Sequence, residues 1–185
     1  MRYKDGMRGG PDLQRWLDDP ALRVAYHRHS TVPAHELWRA ARTVPLSDTG
    51  RLGRLVRWRI PGLERDVSFD GLFRQPPFMV LEETETALVS GLVGRIWTLR
   101  RDYPLLDTPE DFRRWRSRGT ARVAFAHWVS GDGDGGSTLS VDVRVQAIGP
   151  QGQAGVAAVR PLVRAFGNLI GSEGISAAVR RAEGR

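Results

Sequence analysis

The sequence contains no cysteine, only one lysine and no long hydrophobic run. Without cysteine, the chain has no disulfide framework, no thiolate nucleophile and no cysteine ligand for a metal ion. No apolar run approaches the roughly 18 residues that a membrane-spanning helix needs. The N-terminal residues 1–16 are polar and glycine-rich and lack the apolar segment of a secretory signal. These absences favour a soluble, cytoplasmic protein.

The basic charge of the chain comes almost entirely from arginine. The net charge is +7, the isoelectric point is near 11, and of the 28 basic residues only Lys4 is a lysine. Such a bias is typical of GC-rich codon usage, and many of the arginines stand beside an aspartate or glutamate. Electrostatic binding to nucleic acid needs cations clustered along one track. Nucleic acid is therefore not the expected partner, although an anionic partner for the arginines of 51–59 and 100–118 stays open.

Alternation of apolar and polar residues predicts several of the strands. The clearest is Ser137–Ile148, in which every second residue from Leu139 to Ala147 is apolar and the residues between them are polar. One apolar and one polar face predict an antiparallel sheet with one side in solvent. Gly91 and Gly94 lie inside another predicted strand, where glycine often marks a bulge or bend. The predicted strands are 22–32, 65–73, 78–86, 87–97, 120–130 and 137–148.

The longest predicted helix extends from Gly155 to Arg181. Pro161 and the glycines at 167, 171 and 174 interrupt it, which predicts a bend or split near 160 and again near 171–174. Such a segment fits a flexible lid over a cavity and equally a weak helix held by packing. Its apolar stripe repeats at steps of three and four, at Val156, Val159, Val163, Phe166 and Ile170. Shorter helices are predicted over 34–43 after Pro33, over 51–58 capped by Asp48 or Thr49, and over 109–116 capped by Thr108.

The order of these elements predicts the fold class. Consecutive strands are separated by no helix except the short one at 109–116, so a doubly wound parallel sheet is excluded and an α+β fold is predicted. The last helix is apolar enough to require a sheet to cover it. Residues 1–20 are predicted to form a partly mobile N-terminal extension, and 21–185 one domain.

The four histidines offer no metal site, and neither a metal nor a cofactor is expected. His27 and His29 share a strand face without a third ligand, and His35 stands alone. His127 has the same strand parity as Phe125, which predicts an inward side chain. It could hydrogen-bond a ligand, act as a general base with Arg95 or Tyr26, or simply be a satisfied core histidine.

Several segments resemble the START-like superfamily, also called the Bet v 1-like or polyketide cyclase-like (SRPBCC) group. The similarity extends over residues 22–183 and is greatest to a bacterial branch with no settled activity. It implies a helix-grip fold, in which a curved antiparallel sheet wraps a long C-terminal helix beside a cavity. Members bind lipids, sterols or polyketides, and some are cyclases or dehydratases. The matching segments are Thr31–Trp38, Phe78–Glu83, Leu88–Trp97, Ser137–Val145 and Ala178–Glu183.

The sequence therefore predicts binding of a small apolar ligand between the sheet and the last helix. A cyclase- or dehydratase-type enzyme with His127, Arg95 or Tyr26 as catalytic groups is the first alternative. An arginine-rich module for an anionic partner is the second. The identity of the ligand and the oligomeric state, including a homodimer, stay open. The predicted cavity wall is Phe69, Phe73, Phe125, His127, Val143, Val163, Phe166 and Ile170.

Overall fold

The computed structural model describes residues 9–59, 67–98, 100 and 103–184, except the side chains at 59, 166, 171 and 172. Its centre is a five-stranded sheet in the order β1-β5-β4-β3-β2, and each strand is antiparallel to its neighbours. Sequence alternation at period two is clearest in the last strand, whereas the strand at Ala87–Gly94 is buried along its whole length. The strand bounds are Leu22–Ser30 (β1), Met79–Glu83 (β2), Ala87–Gly94 (β3), Thr120–Gly131 (β4) and Ser137–Ile148 (β5).

Six helices surround the sheet in the described part of the chain. Short 3-10 turns also form at Leu13–Arg15 and Leu46–Thr49. The predicted α+β class and the helix-grip arrangement are confirmed, because the long C-terminal helix contacts the sheet at β1, β4 and β5. The helices are Ala34–Thr43 (α1), Arg51–Arg59 (α2), Phe69–Leu72 (α3), Pro109–Arg114 (α4), Gly149–Leu169 (α5) and Ser176–Ala182 (α6).

The strand predicted over 65–73 is wrong in its described part. Residues 69–72 form the single turn of α3, and residues 65 and 66 lie outside the described residues. The Ser68 hydroxyl accepts a hydrogen bond from the Gly71 amide at 3.0 Å and so caps this turn. Phe69, Leu72 and Phe73 are all buried at helical spacing, and burial of these three side chains outweighs the weak alternation of the segment.

The C-terminal helix does not break at Pro161. Proline has no N–H, so the Ala157 carbonyl, four residues earlier, has no amide partner at Pro161. Both residues are exposed, so water can hydrogen-bond to this carbonyl. At Ile170–Ile175 the helix widens into a π-helical turn and then continues as α6. The bend or split predicted near 171–174 is therefore a wider turn rather than a gap.

The first turn of α2 is capped from the other end of the chain. Glu173 Oε2, in the π-helical turn, accepts a hydrogen bond from the Leu52 amide at 2.9 Å. The Thr49 hydroxyl, one of the two predicted caps, donates instead to the Leu46 carbonyl at 2.6 Å. A carboxylate at a helix N-terminus satisfies free amides and interacts favourably with the helix dipole.

The C-terminal helix lies on the inner face of the sheet, which is the face that carries Phe125 and Val141. Ile170, Ile175 and Val179 share one apolar core with these residues. The helix approaches β1 closely at Gly167, where a Cβ would lie only 2.3 Å from the Val24 side chain. Glycine at this position therefore sets how closely α5 can lie on the sheet.

The outer face of the sheet is largely covered, contrary to the solvent-exposed face that the alternation predicts. The described part of the predicted N-terminal extension packs against it through Leu13, Trp16 and Leu17, and α4 does so through Phe112. Asp142 on β5 is fully buried there. Its carboxylate forms ion pairs with the flanking arginines at 2.9–3.2 Å, which compensates its burial: Arg23 and Arg144.

The helix α4 begins as the sequence predicts. The Thr108 hydroxyl accepts from the Asp111 amide at 3.2 Å, and Asp111 Oδ2 accepts from the Thr108 amide at 2.8 Å. This reciprocal capping box satisfies two amides that the helix leaves free. At the other end of α4, the buried guanidinium of Arg122 donates to the carbonyls of Phe112 and Arg113 at 3.3 and 2.8 Å.

Gly91 has a role different from the predicted bend. The sheet irregularity lies in β2 between Val80 and Glu82, whereas Gly91 pairs regularly with Ala124. A Cβ at Gly91 would lie 2.7–2.8 Å from the Phe112 ring and the Leu81 side chain. Gly91 therefore lets α4 approach the outer face.

Replacement of Gly91 by alanine should destabilise the fold. We expect Gly91→Ala to lower the free energy of unfolding by about 1–3 kcal/mol, because the added methyl group overpacks the contact with Phe112. Urea unfolding followed by circular dichroism measures this change. The matched control is Gly131→Ala, where no heavy atom lies within 4 Å of the added Cβ. Equal stability of the two variants would contradict the close contact at Gly91.

Candidate ligand-binding site

A cavity of about 200 Å³ lies between the inner face of the sheet and helices α2 and α5. Its lining is apolar, and only Trp58 and Tyr103 among the described lining residues carry a polar side-chain atom. The sheet contributes Leu92, Val123, Phe125, Val143 and Val145. Helices α2 and α5 contribute Leu55, Val56, Trp58, Leu162 and Val163. The remaining lining residues are Leu72, Phe73, Pro77, Phe78, Ile96 and Tyr103.

The cavity lies over short side chains on the inner face of the sheet. Val123 and Val143 lie on the neighbouring strands β4 and β5, and both stay partly accessible inside the cavity. The sheet is unbroken here, because β4 and β5 pair at every residue from Thr120 to Gly131. The space therefore lies above a continuous sheet.

The mouth of the cavity lies between α2 and α5. Trp58 on α2 is 57% exposed and Leu162 on α5 is 56% exposed, and both line the cavity. Large apolar side chains at this exposure are unusual on a protein surface, and when they gather at a concave site they indicate binding. This pair gives the cavity an apolar rim.

Half of the predicted cavity wall is found in the cavity. Phe73, Phe125, Val143 and Val163 line it. Phe69, His127 and Ile170 are instead buried in the core beyond its inner end. The side chain of Phe166 lies outside the described residues.

Helix α2 contributes to the cavity, although the predicted wall included none of its residues. Leu55 and Trp58 are three residues apart, so both lie on one side of this helix and reach the cavity. A signal was present, because Leu52, Leu55 and Val56 form one apolar side of α2 in the sequence, and two of them line the cavity. Val123 was also missed, although it has the same strand parity as Phe125.

Stacked phenylalanine rings close the inner end of the cavity. Phe73 lies face to face with Phe125, with ring centroids 3.7 Å apart and an interplanar angle of 7°. Phe69 and Phe78 contact Phe73 edge-on at 5.2 and 4.9 Å. The His127 ring lies behind this pair, 5.7 Å from Phe125 and 6.1 Å from Phe73. The rings therefore separate His127 from the ligand-sized space.

A chain of polar side chains begins at the buried His127 and ends at the protein surface. Asp70 is 4% exposed, and its Oδ1 lies 3.3 Å from His127 Nε2. Because a carboxylate only accepts hydrogen bonds, Nε2 is the donor. Asp70 Oδ2 accepts from Arg74 Nε at 2.5 Å, and the other guanidinium nitrogens of Arg74 donate to both oxygens of Glu83 at 2.8 and 2.6 Å. The second arginine beside these carboxylates is Arg42.

These contacts determine the ionisation of the two carboxyl groups. Burial acts to raise the pKa of Asp70, but the hydrogen bonds from His127 and Arg74 outweigh it and leave the pKa below its ordinary value. The hydrogen bonds from Arg74 also lower the pKa of Glu83. The same two carboxylates raise the pKa of the Arg74 guanidinium. The chain of polar side chains is therefore fully ionised at neutral pH from Asp70 to Glu83.

Two buried nitrogen atoms beside this chain have no hydrogen-bond partner. They are His127 Nδ1 and Trp38 Nε1, and the two rings lie 5.2 Å apart. His127 also lines a void of about 10 Å³, which has room for about one water molecule. His127 is thus oriented by a carboxylate, with its second nitrogen free, in a place that currently admits no ligand.

The three candidate catalytic residues are not brought together. Tyr26 shares the inner-face row of Val141 and His127, but its hydroxyl donates to Asn168 on α5. Arg95 is exposed just beyond β3. Arg95 follows Gly94, which pairs with Ala121 on β4. Ala121 is six residues from His127 along this strand, so Arg95 lies about 20 Å from His127.

The other histidines lie at the surface and form no metal centre. His29 Nδ1 lies 2.7 Å from Asp132, and His35 Nε2 lies 3.8 Å from Glu36. Within the described ranges, no three histidine or acidic side chains are grouped as metal ligands would be. Likewise, none of the helices described here combines the length and apolar character needed to cross a membrane.

Comparison with known proteins shows distant structural similarity only. No family model and no curated protein matches the chain. A hypothetical protein from Helicobacter pylori is 8% identical, over 98% of this chain and 99% of that chain, with a TM-score of 0.44. Ara h 8.0201 is 13% identical, over 89% and 99%, with a TM-score of 0.29. The Zhui aromatase/cyclase from Streptomyces sp. R1128 is 13% identical, over 86% and 94%, with a TM-score of 0.28. The fold assignment therefore rests on the sheet and C-terminal helix described above.

Replacement of Asp70 by asparagine should make stability less dependent on pH. At pH 7 we expect Asp70→Asn to lower the free energy of unfolding by about 1–3 kcal/mol, because His127 and Arg74 lose a buried acceptor. The pKa of Asp70 is lower in the folded state than in the unfolded state. The ionised Asp70 carboxylate therefore contributes its full stabilisation above the unfolded pKa of about 4, and this stabilisation is lost as the pH falls through the folded pKa. Urea unfolding between pH 7 and pH 2 measures both effects.

The difference in stability between the wild type and Asp70→Asn should therefore shrink below pH 4. The matched control is Asp48→Asn at an exposed position, which should change stability little at any pH. A constant difference between the wild type and Asp70→Asn down to pH 2 would show that the Asp70 carboxylate is not the group that titrates.

Proposed function

We propose that the protein binds a small hydrophobic ligand in the cavity between the inner face of the sheet and α5. The observation that carries this proposal is the almost wholly apolar lining of a space that opens at Trp58 and Leu162. A well-packed interior leaves few voids larger than a water molecule. Space of this size in the middle of the core costs stability, and a bound apolar molecule recovers it.

The volume limits the size of the ligand. An apolar cavity of about 150 Å³ accommodates the six carbons of benzene, so about 200 Å³ accommodates about eight non-hydrogen atoms. A longer ligand would extend through the mouth past Trp58. Its binding would be driven by removal of apolar surface from water, at about 25 cal/mol per Å² before the costs of association. A compact aromatic molecule or the end of an acyl chain meets these limits.

Filling the cavity should abolish ligand binding. Val143→Phe places a ring in the middle of the space, and we expect it to weaken binding of naphthalene, an uncharged ten-carbon probe, by at least about tenfold. Naphthalene fluorescence anisotropy measures the affinity. The matched control is Leu105→Phe, which makes a similar substitution at a side chain that is 72% exposed and outside the cavity. Equal affinity of the two variants would contradict the proposed site.

The natural ligand can be sought directly. Native mass spectrometry of the purified wild type should reveal a bound mass that is released on denaturation and that Val143→Phe no longer carries. A co-purified molecule with several charged groups would contradict an apolar occupant, because the lining offers no partner for buried charge.

A second candidate function is acid–base catalysis of the cyclase or dehydratase type on a polyketide-like ligand. It is favoured by His127, whose Nε2 is held by Asp70 while Nδ1 has no partner. A histidine oriented by a carboxylate is a common general base. Its substrate would have to displace the Phe73 ring, because His127 does not line the ligand-sized cavity.

This second candidate makes a separate prediction. With a polyketide-like substrate that the protein turns over, His127→Gln should lower kcat by about 100-fold or more, the usual contribution of a general base. The matched control is His35→Gln at an exposed position, and circular dichroism verifies that both variants are folded. Unchanged kcat in His127→Gln would leave His127 a purely structural residue.

A further inference from the structure

The mouth of the cavity combines two kinds of exposed side chain. Trp58 and Leu162 present more than half of their surface to solvent from two different helices. Both also line the cavity, so the exposed apolar surface is continuous with its interior. A tryptophan with its apolar ring at the surface and a polar N–H is the side chain that membrane interfaces favour.

The helix that carries Trp58 is strongly cationic. Helix α2 contains four arginines and no acidic residue, and α5 has no acidic residue either. Arg51, Arg54 and Trp58 are spaced at i, i+3 and i+7, which places them along one side of the helix. Within the described ranges, Arg51 and Arg54 form no ion pair. Glu173, whose carboxylate faces the first turn of α2, is already engaged by the Leu52 amide.

We propose that the mouth of the cavity docks on an anionic lipid surface. The side chains of Trp58 and Leu162 enter the interfacial layer, and Arg51 and Arg54 bind the lipid phosphates beside them. This proposal goes beyond ligand binding and does not depend on which molecule occupies the cavity. A lipid surface supplies anionic groups and an apolar layer at the same place, whereas duplex nucleic acid supplies phosphates but nothing apolar for Leu162.

The docked geometry gives the cavity a direct exchange route. The mouth would face the acyl layer, so an apolar ligand could move between membrane and cavity without crossing water. Helix α2 is held to the π-helical turn by Glu173, which fixes the orientation of the cationic side relative to the mouth. The docking surface and the cavity are therefore parts of one arrangement.

Vesicle sedimentation tests the proposal. We expect the full chain to bind vesicles of phosphatidylcholine with 30% phosphatidylglycerol, to bind pure phosphatidylcholine weakly, and to lose binding as salt is raised. The double variant Arg51→Gln/Arg54→Gln should bind the anionic vesicles about 30-fold more weakly, since each cation near such a surface contributes about a factor of five. The charge-matched control Arg113→Gln/Arg114→Gln, on α4 at the outer face, should bind like the wild type.

A second measurement locates the contact independently of affinity. Lipids brominated in the acyl chain should quench the tryptophan fluorescence of the wild type. At vesicle concentrations that bind each protein fully, Trp58→Phe should lose most of this quenching, because the other described tryptophans are less exposed: Trp16, Trp38, Trp97, Trp115 and Trp128. Unchanged quenching in Trp58→Phe, or equal vesicle binding by the two arginine double variants, would overturn the proposal.

The two proposals fail separately. Val143→Phe fills the cavity without altering its rim, so it should bind anionic vesicles normally while it loses naphthalene. The Arg51→Gln/Arg54→Gln variant should bind naphthalene normally and lose the vesicles. Binding of neither vesicle type by the wild type at low salt would overturn docking alone and leave the ligand site standing.

Discussion

The contact between the C-terminal helix and the inner face of the sheet determines where the core is closely packed and where a cavity remains. At Gly167 the helix backbone approaches the Val24 side chain closely, and from Ile170 onward bulky side chains fill the core. Between the helix and strands β4 and β5, Val123 and Val143 stay partly accessible and line the cavity. The cavity lies where the side chains of the sheet and the helix leave this space unfilled.

The interior is divided into two regions of different chemistry. On one side of the stacked Phe73 and Phe125 rings lies the apolar cavity, and on the other lie His127 and its carboxylate partner. The first region can recognise a ligand only by shape and removal of water. The second could move a proton but is closed to any molecule larger than water. Binding is therefore the function that the present arrangement supports most directly, and catalysis would require Phe73 to move.

Much of the architecture could be predicted because it depends on neighbours in the sequence. Period-two alternation identified β5 with its observed bounds, and Thr108 identified the start of α4. The stripe of the last helix and the order of the elements gave the α+β class. Strand parity placed Phe125 and Val143 on one face, and both line the cavity. These features are determined by local hydrogen bonding and by the alternation of side chains along one element.

The remaining features depend on contacts between residues that are far apart in the sequence. Glu173 caps α2, Phe112 packs over Gly91, and the N-terminal residues around Trp16 cover a face that alternation assigns to solvent. The sequence by itself therefore determined most of the elements and their apolar sides, but not the helical turn at Phe69–Leu72. Only the tertiary structure decided which apolar sides pack together and where a cavity remains between them. Both depend on how the helix is placed on the sheet and on the sizes of the side chains between them.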